Sequence, residues 1–158
     1  MNFRRLGNTG CEVSEIGLGS NRLGEKTESD AHWDGLTRRA LDLGVNIFDT
    51  AEQYAGGRSE EVLGRVIGER TDVTIASKYS PRRTDGVADF SHRTIEEAVD
   101  GSLKRLQRSA IDIYQIHSPK MPELADQNLW ASLNRLKEQG KIKHIAIAVN
   151  TATEGIWL

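Results

Sequence analysis

The stretch Gly44-Val45-Asn46-Ile47-Phe48-Asp49-Thr50-Ala51-Glu52-Gln53-Tyr54 opens on a turn residue, passes through a short apolar run and ends in a polar loop. The glycine suits the end of a preceding helix, β-branched and aromatic residues favour a strand over Val45 to Phe48, and Asp49 stands where that strand stops. Four other short runs rich in Val and Ile have the same form: Val13 to Leu18, Val73 to Ala76, Ile111 to Ile116 and Ile142 to Val149. Longer segments with apolar residues at helical spacing separate them, which is the pattern of repeated βα units and predicts a parallel sheet of five strands.

Working outward, Ser29 is placed to cap a helix carrying Trp33, Leu36, Ala40 and Leu41 and closed by Gly44. Ser59 is read as the cap of a second helix with Val62, Leu63, Val66 and Ile67. Thr94 with Glu97 is read as a capping box for a third, with Ala98, Val99, Leu103 and Leu106. A fourth carries Leu129, Leu133 and Leu136 and ends near Gly140. Nearly continuous apolar strands predict burial on both faces, in either a doubly wound sheet or a barrel. Phe3 to Val13, centred on Asn8, Thr9 and Gly10, reads as a β-hairpin that plugs or covers the fold, and Ser80 to Ser91 reads as a long surface loop.

Of the 158 residues, 37% are hydrophobic and 28% charged, enough for one soluble domain with a real core. Basic and acidic residues nearly balance, for a net charge of -2, so no strong field is available for nucleic acid or anionic lipid and a small molecule is the expected partner. Cys11 is the single cysteine, which rules out an intrachain disulfide or a thiolate cluster and points to a reducing, cytoplasmic setting. The segment Met1 to Leu6 lacks the apolar core of a signal peptide, and no run is long enough to span a bilayer. His32, His92 and His144 lack ligand spacing, so no metal is expected. Gly17 and Gly19 form a G-x-G without the rest of a dinucleotide fingerprint.

Three ionisable residues close three consecutive strands: Asp49, Lys78 and His117. In parallel α/β folds the carboxyl ends of the strands form the ligand site, so these side chains converge on one mouth, and Tyr54 in the loop after Asp49 reaches it. The group suits carbonyl reduction. A phenol at Tyr54 is a proton donor to the developing alkoxide, Lys78 eases that release, Asp49 holds Lys78, and His117 orients the carbonyl oxygen by a hydrogen bond.

These residues also resemble the aldo-keto reductase family. Residues 44–54 are similar to its signature, with Asp49 and Tyr54 matching the catalytic pair; Ile75-Ala76-Ser77-Lys78 and Asp112-Ile113-Tyr114-Gln115-Ile116-His117 resemble its lysine and histidine strands. Arg58-Ser59-Glu60-Glu61-Val62-Leu63-Gly64 resembles the helix after the signature, and Leu6-Gly7-Asn8-Thr9-Gly10 with Val13-Ser14-Glu15-Ile16-Gly17-Leu18-Gly19 resembles the hairpin and first strand. The resemblance implies a (β/α) TIM-barrel fold and reduction of aldehydes or ketones with a nicotinamide cofactor. It also implies a catalytic set of Asp49, Tyr54, Lys78 and His117, with cofactor contacts from Gly19, Ser20, Asn21, Asp49 and Asn150.

Two departures stand out. A barrel of this type has eight units in ~250 residues, whereas this chain reaches Leu158 just past its fifth strand. The expectation is therefore one partial domain over 1–158, a barrel truncated after five strands. In the family the later units hold much of the cofactor's adenosine and pyrophosphate end, so NADPH is expected with NADH left open. In Ala146-Ile147-Ala148-Val149-Asn150, Ala148 stands where the family usually has a serine that helps hold the nicotinamide amide. A non-catalytic remnant or regulatory module of the same fold is the competing expectation, with self-association through the open barrel edges.

Overall fold

The computed structural model describes residues 1–156. Its first element is the hairpin of β1 (Phe3–Arg5) and β2 (Glu12–Ser14), antiparallel with Arg4 opposite Val13. The parallel strands are β3 (Leu18–Gly19), β4 (Ile47–Asp49), β5 (Thr74–Tyr79), β8 (Ile111–His117) and β9 (Ile142–Ala148). Helices α1 (Asp30–Asp42), α2 (Arg58–Val66), α3 (His92–Leu106) and α4 (Gln127–Glu138) connect them. A second small hairpin, β6 (Arg83–Thr84) and β7 (Val87–Ala88), follows β5, and a short helix α5 (Ala152–Ile156) follows β9.

The order across the sheet is β3-β4-β5-β8-β9, so each strand lies beside the one before it in the chain. A doubly wound sheet reverses direction at a switch point and carries helices on both faces. Right-handed crossovers advancing in one direction put every helix on the same side, which is the arc of a (β/α) barrel. The choice between two architectures that periodicity left open is thus made by strand order.

Helices seal only one face of the arc. Phe48, Ile75, Tyr79, Tyr114 and Ile116 are wholly buried there with Leu63 of α2, Ile95 and Val99 of α3, and Leu129, Leu133 and Leu136 of α4. Each such side chain contributes about 1.5–3 kcal/mol on leaving water. On the opposite face Thr74, Ala76 and Lys78 of β5 and Ile111 and Ile113 of β8 are buried, while Asp49, Gln115, Ala146 and Ala148 are half-buried, so the predicted burial of both faces holds for the central strands and weakens toward the mouth and β9. Strand β9 is half-buried from His144 to Ala148, with β8 as its single partner among the described residues.

Several local expectations change. Val13 and Ser14 belong to the hairpin, leaving the first parallel strand only Leu18 and Gly19. The hairpin is tied to the amino-terminal end of β4 through Asn46, whose amide donates to the Glu12 carbonyl at 2.9 Å and whose Oδ1 accepts from the Ser14 amide at 2.6 Å. It is therefore attached at the end of β4 opposite Asp49. The cap of α2 is Gly57, and the cap of α3 is Ser91, whose hydroxyl accepts from the Thr94 amide; neither Ser59 nor Thr94 caps. On α1 it is Thr37 that is fully buried, while Leu36 is exposed. Ser29 caps α1 as expected. The surface loop after Ser80 contains β6 and β7 joined by Asp85-Gly86, both at positive φ, a tight hairpin signal present in the sequence.

Candidate active site

Side chains alternate along a strand, so Asp49, Lys78 and Gln115 face the mouth while Ser77 and Tyr79 face the helices. Contacts agree: Ser77 donates to buried Glu60 of α2 at 2.5 Å, and Lys78 reaches across to β4. Asp49 ends β4, level with Gly19 on one side and Ala76 on the other. Lys78 is level with Gln115, and His117 ends β8 opposite Ala148.

The Lys78 ammonium is 5% exposed and has three oxygen neighbours: Asp49 Oδ1 at 2.5 Å, the Thr50 carbonyl at 2.8 Å and the Tyr54 hydroxyl at 3.4 Å. The second Asp49 oxygen accepts from Gln115 Nε2 at 3.0 Å. Because a carboxylate can only accept, the Gln115 amide is oriented by chemistry, and Asp49 is held from both sides. The Lys78 nitrogen also lies 4.9 Å from the centre of the Tyr54 ring, and the Tyr54 and His117 rings meet edge to face at 5.7 Å. The four predicted residues are thus gathered at one mouth.

Tyr54 begins a 3-10 turn, Tyr54–Gly57, in which Ala55, Gly56 and Gly57 all take positive φ. Gly57 is held at φ +92°, where a residue with a side chain is strained, and a Cβ there would also press on Arg105 Cδ at 2.9 Å. Ser59 braces the same region: buried, it donates to the Ser20 carbonyl at 2.8 Å and shares a hydrogen bond with Thr50 Oγ1 at 2.8 Å. The Ser20 hydroxyl in turn donates to the Asp49 carbonyl at 2.5 Å. Ser20, 2% exposed, therefore locks the end of β3 to the end of β4.

His117 Nδ1 lies 3.2 Å from both Gln53 Nε2 and Ser80 Oγ. Partial burial and the Lys78 charge lower its pKa below the ordinary histidine value, against the pull of Asp49, which favours the neutral ring. Glu52 accepts from the Ser80 amide at 2.7 Å, and burial raises its carboxyl above the usual value. Gly19 and Asn21 are exposed, and a concavity of about 410 Å³ runs from the hairpin to the end of β4, lined by Arg4, Val13, Ser14, Gly19, Ile47 and Asp49 among others. Asn150 accepts from Ser118 at 3.1 Å just past β9, and the Ser118 amide donates to the Ala148 carbonyl at 2.9 Å. Gln53, Ser80 and Gln115 are the polar neighbours that sequence reasoning passed over. Gln115 had a signal: it lies two residues before His117 and so on the same strand face.

A parallel arc built strand after strand, with an ion pair, a phenol and an imidazole at its carboxyl mouth, defines a (β/α)-barrel protein with an enzyme-like cleft. The chain belongs to the aldo/keto reductase family, whose model matches residues 15–156. An uncharacterised oxidoreductase of Bacillus subtilis, YqkF, is 37% identical over 154 residues, covering 94% of this chain and 49% of the relative. The holo form of an aldo-keto reductase from Bacillus halodurans superposes with a TM-score of 0.82 at 33% identity, covering 94% of this chain and 50% of that one. An aldo-keto reductase from Klebsiella pneumoniae in complex with NADPH gives 0.76 at 28% identity, covering 90% and 48%. The chain spans about half the length of the curated relatives it matches. Among the described residues no helix is long and apolar enough to cross a membrane.

Proposed function

We propose that residues 1–158 act as one partial barrel domain that carries the reacting end of a carbonyl reductase, reducing aldehydes or ketones to alcohols with a nicotinamide cofactor. The observation that carries this reading is Lys78, buried and within hydrogen-bond reach of both Asp49 and the Tyr54 hydroxyl. Tyr54 gives its proton to the oxygen of the carbonyl as negative charge grows there. The Lys78 ammonium favours the phenolate that remains, and Asp49, steadied by Gln115, keeps that ammonium in place. His117 donates a hydrogen bond to the same oxygen and fixes its approach, an electrostatic effect strongest when the charge is greatest.

The mouth fits a flat nicotinamide ring. Gly19 has open space where a side chain would stand, level with Asp49, and Asn21 past β3 and Asn150 past β9 are exposed, so their amides are the polar contacts proposed for the cofactor. When bound, the cofactor supplies hydride to the carbonyl carbon. NADPH is the cofactor proposed, on the strength of the Klebsiella pneumoniae neighbour solved with it; NADH is the comparison to measure.

The test pairs fluorescence titration with NADPH and NADH against a carbonyl reduction assay, on the chain and on Tyr54→Phe. Removing a general acid lowers turnover by roughly 10²–10⁴-fold, while the phenylalanine ring keeps its packing, so cofactor affinity should be unchanged. Turnover retained by Tyr54→Phe would overturn the role of the phenol. A chain that folds and binds neither cofactor would favour the alternative, a non-catalytic module of the same fold.

A further inference from the structure

The imidazole of His117 has two unlike sides. Nδ1 faces Gln53 Nε2 and Ser80 Oγ, both at 3.2 Å, while Nε2 has no hydrogen-bond partner among the described residues. A neutral imidazole carries one donor nitrogen and one acceptor nitrogen, and the partner of one decides the state of the other. With the Gln53 amide nitrogen turned toward the ring, as it stands in the structure, that nitrogen donates and Nδ1 accepts. The Ser80 hydroxyl is free to rotate and add a second donor, and its own backbone is fixed by Glu52, which accepts from the Ser80 amide at 2.7 Å.

We infer that Gln53 and Ser80 are positioning residues that keep the proton of His117 on Nε2, so that this nitrogen donates to the oxygen of a bound carbonyl compound. The inference rests on the carbonyl-reducing reading for its purpose, though its geometry is independent of it. The charged groups facing the ring are Lys78 of β5 and Asp49 of β4, which act on it in opposite senses, and neither bonds a ring nitrogen. The tautomer is therefore set by the two neutral partners on Nδ1. With the proton on Nδ1 instead, Nε2 would present a lone pair to a carbonyl oxygen and repel it.

The experiment is long-range proton–nitrogen correlation NMR on the chain labelled with nitrogen-15 in histidine, with His117→Asn to identify its signals among the four histidines. At about pH 7.5, above the ordinary histidine range, the expected pattern is a neutral ring protonated at Nε2. Gln53→Glu places an acceptor-only carboxylate against Nδ1, so the proton should move to Nδ1 and the ring should titrate at higher pH. A second variant, Gln53→Met with Ser80→Ala, removes both partners and should reveal an Nδ1-protonated population that the parent lacks. A parent ring protonated at Nδ1, or a double variant with an unchanged tautomer pattern, would overturn the inference. No turnover is needed for the measurement. A locked proton in a chain that fails to reduce carbonyls would count against the reductase reading alone.

Discussion

His117 links the site to pH. Burial and the nearby Lys78 ammonium disfavour its charged form, so the folded chain binds this proton less readily than the unfolded chain does. As pH falls through the ordinary value near ~6.5, the unfolded state takes up the proton first and stability drops; above that value the effect is flat. Urea unfolding midpoints should therefore fall between about pH 7.5 and about pH 5.5, and His117→Asn should make that slope shallower. An unchanged slope would mean that other groups cause it. Ala148, opposite His117 in the register, invites a gain-of-contact test. Ala148→Ser restores the hydroxyl that the family resemblance places there, and one added hydrogen bond is worth about 0.5–1.5 kcal/mol, or roughly 2- to 10-fold tighter NADPH in a fluorescence titration. At this scale the sequence was most readable where a polar residue closed an apolar run, as at Asp49 and His117. Gln53 and Ser80 were not readable, because their partner, His117, lies 64 and 37 residues away along the chain.

Between elements, the contact of α2 with α3 depends on a missing side chain. A Cβ on Gly64 would stand 2.2 Å from the Arg105 carbonyl oxygen and 2.9 Å from the Leu106 carbonyl carbon, both backbone atoms that cannot swing aside. Gly64→Ala should force the helices apart and cost about 1–3 kcal/mol or more, seen as a lower denaturant midpoint with little change in slope. Buried Glu60 bridges the same elements, accepting from Ser77 of β5 and from Arg105 Nε of α3 at 2.7 Å. Farther down the sheet, Asp112 at the start of β8 accepts from Arg108 at 2.8 Å, Lys143 at 2.7 Å and the Ile75 amide at 2.9 Å. Helix and strand periodicity were legible from sequence because each apolar stripe is a local pattern. The caps of α2 and α3 were not, since Ser59 and Thr94 carry the residue types of caps while their hydroxyls serve other partners. Ser59 bonds to the ends of two strands, and Thr94 donates to Asp89 at 2.6 Å.

For the molecule as a whole, five consecutive strands form an arc with an edge at β3 and an edge at β9. The number of parallel strands was evident from periodicity, whereas the barrel arc was legible only through the family resemblance, because a barrel and a doubly wound sheet share one local pattern and differ only in strand order. The edge at β9 is the more exposed to association: it is seven residues long, pairs among the described residues with β8 alone, and is half-buried along most of its length. Unpaired amides and carbonyls on such a strand are a template for another chain, and a charge on the strand is how natural edges discourage it. Prepared as a separate 158-residue polypeptide, the chain should associate in a concentration-dependent way by sedimentation velocity. Ala146→Lys, level with Gln115 on β8, should shift the distribution toward monomer while leaving the circular dichroism of the four longer helices intact. A parent chain that stays monomeric at every concentration would show that the β9 edge is protected by its own twist or by α5 beyond it. An Ala146→Lys chain that associates as strongly as the parent would move the contact to β3 or to the open face of the arc.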